Sequence, residues 1–234
     1  MKTRFFNALK SDIIFQFKQG FYYVYIFLTV VYMVVISKLP GGAVKDACIP
    51  LTVFSDPSLI GFLFVGGIAM LEKDQGMLKY LAVTPLDARE YLLSKAVSLS
   101  LVSLFAGSII TLACFQGSVN WLVLILGILL SSSFFTIYGF IAAAKSRTIN
   151  EYYIKMVPYL LLIVIPPFSV IGFPFNWIFD IFPSVAGLRL IMGAFDGLTV
   201  IGAAPYIIIL LAMNWLVLKV AERSYLKITV SEEA

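Results

Sequence analysis

Six apolar runs, each about 16 to 24 residues long and parted by short charged segments, confine this chain to a lipid bilayer. A ~30 Å hydrocarbon core is crossed by about 20 helical residues. The runs fall at Phe21 to Ser37, Leu51 to Leu71, Ala96 to Phe115, Trp121 to Ala144, Met156 to Ile171 and Ile201 to Leu218. Composition agrees: 61% of the 234 residues are apolar, 13% are charged and the mean hydropathy is +0.97, against roughly 45–50% apolar and about 25% charged in soluble domains. The fold expected is an all-α polytopic membrane protein with six transmembrane helices.

The cationic residues orient it. Of the 17 Lys and Arg residues, all but Lys38, Lys45 and Arg189 lie before the first run, between runs two and three, between four and five, or after six. Cations near membrane ends stay cytoplasmic, so both termini and the polar segment at 72–95 are expected inside the cell, with the protein multi-pass in the cell membrane. The net charge of +4 is this asymmetry and asks for no nucleic acid. Histidine is absent, which removes Ser-His hydrolysis, H-E-x-x-H zinc chemistry and His-ligated haem. Cys48 and Cys114 both fall near the outer face, where a disulfide is geometrically conceivable, and two unpaired thiols are the plainer expectation.

The chain reads as one transmembrane domain over 1–234: an interfacial helix at 1–20, a six-helix bundle at 21–218 and a cytoplasmic tail at 219–234. At the start, Phe5, Leu9, Ile13 and Phe17 recur every four residues among Lys2, Arg4, Lys10, Asp12 and Lys18, the pattern of an amphipathic helix in the membrane interface. Such a helix serves as a lever linking the spans to a cytoplasmic partner or as a simple anchor. The basic start is too long for a secretory signal, so the first run is expected to be retained. In run two, Ser55, Asp56 and Pro57 read as an N-cap with proline at the first helical position, so that a helix restarts there after an irregular or kinked segment. Asp56 is then either a cap at the water interface or a polar group near the outer end of a translocation route. Run four carries Gly127, Ser131, Ser132, Ser133, Thr136, Gly139 and Ala143, small residues that let helices approach closely. Its aromatics Phe134, Phe135 and Tyr138 belong to the bundle core or line a route for cargo, for which Asp56, Phe62, Phe134 and Tyr138 are the candidates. Pro166 and Pro167 break run five in the outer leaflet, and 172–200 is too apolar for an exposed loop, which points to a re-entrant outer hairpin sheltered by the bundle. The residues past Tyr225 are expected to be loose.

The polar segment at 72–95 is the best clue to function. It holds eight charges, four of each sign, and so forms a surface at the membrane face that invites a soluble partner. Glu72 at the end of run two is followed by Gly76, which allows a sharp change of direction. Met77, Leu78, Tyr80 and Leu81 then offer apolar knobs, Thr84-Pro85 breaks and restarts a helix, Leu86 and Tyr91 add contacts, and Lys95 enters run three.

The series Glu72, Gly76, Leu81, Thr84-Pro85-Leu86, Glu90 and Lys95 resembles the E-x-x-x-G-x-x-x-x-L, S/T-P-L, E, K pattern of ABC-2 type permeases, the membrane subunits of ATP-binding-cassette exporters. By its size and its Asp56-Pro57 element the chain is also similar to small bacterial drug-export permeases, including those for fluoroquinolones. The resemblance implies that 72–95 holds a coupling helix docking on an ATPase, with Glu72, Gly76, Met77, Leu78, Tyr80, Leu81, Thr84, Pro85 and Leu86 as coupling residues. No G-x-x-x-x-G-K-[ST] segment occurs, so no cofactor is expected on this chain, and ATP and Mg would be bound by separate ATPase subunits. The resemblance further implies a dimer with a second permease copy or paralogue through runs one and five, embedded in membrane lipids, and export of a hydrophobic or amphipathic cargo such as a drug, lipid or peptide-like molecule. The chain itself would not be catalytic. Two other classes fit less well. An ion-coupled secondary transporter needs paired broken helices and buried carboxylates. A membrane enzyme, such as a lipid-modifying one, needs clustered catalytic groups at depth.

Overall fold

The computed structural model describes residues 2–56, 60–76, 86–146, 148–171 and 179–232, and every regular element among them is helical. In chain order these are α1 (Lys2–Lys18), α2 (Phe21–Lys38), α3 (Ala43–Ser55), α4 (Gly61–Asp74), α5 (Ala88–Cys114), α6 (Trp121–Ala144), α7 (Ile149–Val164), a 3-10 turn (Pro166–Ile171), α8 (Pro183–Phe195) and α9 (Val200–Glu232). Among the described residues five helices are long and apolar enough to cross a membrane: α2, α5, α6, α7 continued through Val170, and α9. The protein is a multi-pass membrane protein.

The second apolar run is carried by two helices of 13 and 14 residues, α3 and α4, each about 20 Å long at 1.5 Å per residue and too short to cross alone. Here the sequence expectation needs correction. The segment before Asp56 is regular helix despite Pro50, and Asp56 ends that helix instead of capping the next one. Its φ and ψ of −59° and −60° are helical and its N–H bonds to Thr52 O, while the Ser55 hydroxyl donates back to the same carbonyl at 2.9 Å. The backbone passes through π-helical geometry at Asp56 and again at Ile60, and α4 begins at Gly61. Burial explains the difference, because Asp56 is fully buried and no water is at hand for the cap that the sequence suggested.

α6 is the hub, packing against α4, α5, α7, α8 and α9. Lipid tails are as apolar as leucine, so helices in a membrane associate through close packing and not through hydrophobic exclusion, and the small residues of α6 supply it. A Cβ on Gly139 would stand 2.6 Å from Phe62 O of α4, and one on Gly127 would stand 3.0 Å from the Ile191 side chain of α8. On the facing helix, a Cβ on Gly187 would meet Ser131 Oγ at 2.4 Å.

Run five breaks as expected: α7 stops at Val164 and the diproline enters a 3-10 turn. Of the outer hairpin, 172–178 lies outside the described residues, and α8 follows as a short buried helix begun by Pro183 at its first turn. At the C-terminus, where loose residues are expected, α9 continues to Glu232. A helix of that length outreaches the hydrocarbon, and nothing in its last turns interrupts the backbone ladder. Both cysteines are free thiols.

Candidate functional site

The amphipathic helix α1 turns part of its apolar surface away from the protein. Phe6, Ile13 and Phe17 are exposed, whereas Asp12 and Gln16, one turn apart, are buried against α5. α5 presents a matching polar stripe, Tyr91, Ser94, Lys95 and Ser98, at helical spacing on one face, all of it buried. Glu72, in the last turn of α4, closes the triangle.

Lys95 stands at the centre with its side chain 1% exposed. Its Nζ donates to Asp12 Oδ1 at 2.8 Å and to Glu72 Oε1 at 2.5 Å. The remaining oxygen of each carboxylate is also satisfied, since Ser94 Oγ donates to Asp12 Oδ2 at 2.5 Å and the Tyr91 hydroxyl to Glu72 Oε2 at 2.6 Å. Lys95 Nζ also lies 4.5 Å from the centre of the Tyr91 ring, and Gln16 Nε2 reaches Ser98 Oγ at 2.7 Å. Two carboxylates and one ammonium are thus removed from water only because each charge has its partners. Breaking such a buried set at one member costs about 3–5 kcal/mol. The network clamps α1, α4 and α5 into one unit at one end of the bundle.

The other helices join the same end. Tyr91 packs on Phe140 of α6 and Tyr225 of α9, with ring centres at 5.8 and 5.0 Å. Arg89 pairs with Glu222 of α9. Lys73, at the end of α4, donates to Ser146 O just past α6 at 3.2 Å, and Lys145 donates to the Tyr159 hydroxyl of α7 at 2.6 Å.

Immediately after Glu72 the chain stops and turns. Gly76 takes φ +69°, the left-handed conformation that ends helices, with its N–H on Lys73 O at 3.0 Å. Of the other coupling candidates, Met77, Leu78, Tyr80, Leu81, Thr84 and Pro85 lie outside the described residues, and Leu86 is half-buried against the core. α5 starts at Ala88 through a capping box in which the Asp87 N–H donates to Glu90 Oε2 at 3.3 Å, so the proline at 85 is not its first residue.

The cargo-path candidates separate into two places. Asp56 is 0% exposed, and among the described residues neither of its oxygens has a hydrogen-bond partner; it is no cap at a water interface. Hydroxyls gather in the same interior: Tyr25 OH and Ser103 Oγ are 3.1 Å apart, Ser132 Oγ is 3.4 Å from Ser103 Oγ, and Ser131 and Thr136 are buried beside them on α6. Phe62, Phe134 and Tyr138 form a separate aromatic group. The Phe62 and Tyr138 ring centres are 6.0 Å apart, and Tyr138 stacks on Phe134 at 5.7 Å with 11° between the planes. Phe134, Phe135 and Tyr138 line a cavity of about 170 Å³ between α6, α7 and the start of α8, and Phe135 is also part of the buried core. No cluster of His, Cys, Asp or Glu able to hold a metal ion occurs among the described residues.

The profile of the Fluoroquinolones export permease protein family matches residues 3–232. The chain belongs to that family. It is similar to the Fluoroquinolones export permease proteins of two strains of Mycobacterium tuberculosis, 26% identical to each over 197 residues that cover 83% of this chain and 82% of theirs.

Sequence reasoning found the members of this permease's ion network one by one, as Asp12 in an amphipathic pattern and as Glu72, Tyr91 and Lys95 in a motif, but not their meeting. One signal was present. A polar stripe of Tyr91, Ser94, Lys95 and Ser98 on one face of an otherwise apolar helix has to find polar partners.

Proposed function

We propose that this chain is the transmembrane subunit of an ATP-driven exporter, not catalytic by itself, which follows conformational work done by separate ATPase subunits that hold ATP and Mg. The observation that carries the proposal is the Asp12–Lys95–Glu72 clamp. It joins the interfacial helix to both helices flanking the 77–85 segment, so a push on that segment moves α1, α4 and α5 as one body. Moving a two-state bundle from 1:99 to 99:1 takes about 5.5 kcal/mol, a scale that closure of an ATPase dimer on nucleotide can supply. In this reading α3 and α4 together make the second of six crossings, both termini are cytoplasmic, the 72–95 loop holds the coupling helix and α8 is the second arm of a re-entrant hairpin in the cell membrane. α2 and α7 leave broad apolar faces uncovered, including Ile26, Phe27, Ile154 and Leu161, which supports contact with a second permease copy or with lipid there. The cargo is hydrophobic or amphipathic.

The test is purification of the tagged chain from its native membrane, which should bring down an ATPase carrying a Walker motif in a fixed ratio. Glu72→Gln and Gly76→Val should each abolish transport and cargo-stimulated ATPase activity while leaving membrane insertion intact. Unchanged transport in both variants, or cargo movement by the chain alone in vesicles lacking any ATPase, refutes the proposal. One observation favours an ion-coupled carrier instead: the fully buried carboxylate of Asp56, whose oxygens have no hydrogen-bond partner among the described residues. Cargo accumulation driven by a proton gradient in ATPase-free vesicles would establish that second reading.

A further inference from the structure

Along one side of the bundle α2 and α5 part to leave an apolar groove of about 240 Å³. Tyr22, Ile26 and Met33 of α2 form one wall and Val102, Phe105 and Ile109 of α5 the other, with Ala106, small and buried, as the floor. Ile26 and Phe105 at the rims are 62% and 68% exposed, so the groove opens outward from the bundle. Below its mouth at Tyr22 the groove presents no free hydrogen-bonding group. The Thr29 hydroxyl donates back to Tyr25 O at 2.8 Å, and the Tyr25 hydroxyl lies 3.1 Å from Ser103 Oγ on the buried side. A polar occupant would lose its hydrogen bonds to water there and find none in return. From Tyr22 to Met33 the groove follows α2 for about 16 Å at 1.5 Å per residue, roughly half of a ~30 Å hydrocarbon core. That is the depth of one leaflet, long enough for an acyl chain and too short for a helix that crosses the whole membrane.

The mouth has different chemistry. Phe17, in the last turn of α1, meets Tyr22 and Tyr23 with ring centres at 6.1 and 5.6 Å, an aromatic cluster of the kind that sits at headgroup level. Lys18 ends α1 beside it and is exposed, as is Lys10 earlier in the helix. The charge of this surface is a consequence of the ion network. Asp12 is the one carboxylate in the sequence of α1, and it is turned inward onto Lys95. The outer surface of α1 is therefore cationic, with the exposed Ile13, Ile14 and Phe17 set between the two lysines. Lysines held at a bilayer surface attract anionic lipid.

We propose that the α2–α5 groove holds one acyl chain of an anionic phospholipid from the leaflet on which α1 lies, with the lipid phosphate at Lys18 beside the Phe17–Tyr22–Tyr23 cluster. The groove selects for hydrocarbon and the lysine for charge, so a zwitterionic lipid fills the same groove and forgoes the second contact. The site needs only the membrane-spanning bundle and is independent of the export reading.

Native mass spectrometry of the full-length permease, released from nanodiscs of equal phosphatidylglycerol and phosphatidylcholine with no ATPase and no nucleotide, tests the site. Each chain should retain one phosphatidylglycerol, preferred about fivefold over phosphatidylcholine, the scale of one lysine near an anionic surface. Lys18→Gln should abolish the preference and leave phosphatidylcholine retention as it was. Ile26→Trp, at an exposed rim where the larger ring is accommodated, should fill the groove and lower retention of both lipids, and Val30→Phe should repeat the effect from another lining position. An unchanged melting temperature in nanodiscs certifies the fold of each variant. Equal retention of the two lipids by the parent protein, retention indifferent to Ile26→Trp and Val30→Phe, or no retained lipid at all would overturn the proposal. So would dissociation of a dimer by Ile26→Trp with bound lipid unchanged, which would show that a second copy covers the groove.

Discussion

Replacing Lys95 by methionine is the sharpest perturbation this structure offers. The side chain is 1% exposed and its ammonium lies 2.8 Å from one carboxylate and 2.5 Å from another, so methionine fills the space but leaves Asp12 and Glu72 facing each other as buried anions. Truncating one member of a buried ion set costs about 3–5 kcal/mol, most of it the penalty of the uncompensated charge. Neutralising all three positions together, with Asp12→Asn, Glu72→Gln and Lys95→Met, removes that penalty and should return stability to within about 1 kcal/mol of the parent. Thermal unfolding in nanodiscs measures the first effect. ATP-driven efflux measures the second, and there the two variants separate the roles of the network. If the clamp transmits motion, the triple variant is stable yet transport-deficient, and α1 becomes cleavable by trypsin at Lys10 and Lys18. A Lys95→Met protein that loses under about 1 kcal/mol would show that the charges are solvated and no clamp exists. Transport at the parental rate by the stable triple variant would show that the network contributes stability alone.

Two further substitutions probe the bundle. Gly139→Ala should destabilise by about 1–3 kcal/mol, because its new methyl would lie 2.6 Å from a backbone oxygen of α4 that cannot rotate aside, whereas Gly67→Ala, with 3.7 Å to the Phe21 ring, should be tolerated; equal melting temperatures would refute the close α4–α6 contact. Asp56→Asn should leave stability unchanged or raised, since it removes a buried carboxylate with no hydrogen-bond partner among the described residues. A loss above about 2 kcal/mol on unfolding would mean that the carboxylate is engaged in the folded protein.

What the sequence by itself determined follows from forces that act residue by residue. Apolar runs partition into lipid, and a backbone in hydrocarbon has to close its own hydrogen bonds, so the helical class and the approximate places of α2, α5, α6, α7 and α9 were legible in order. Pro166 and Pro167 remove backbone donors wherever they stand, and the small residues of α6 permit close approach, so the break in α7 and close packing on α6 were legible too. Tertiary structure alone decided which polar face met which. Asp12, Glu72 and Lys95 come from three separate helices, and nothing in their spacing shows that α1 would turn its carboxylate inward and Phe6, Ile13 and Phe17 outward. That choice belongs to the buried ammonium, whose desolvation no single helix can offset. Asp56 misled for the same reason. An Asp-Pro pair signals a cap where water is at hand, but Asp56 is fully buried in the packed bundle and stands at the end of the preceding helix.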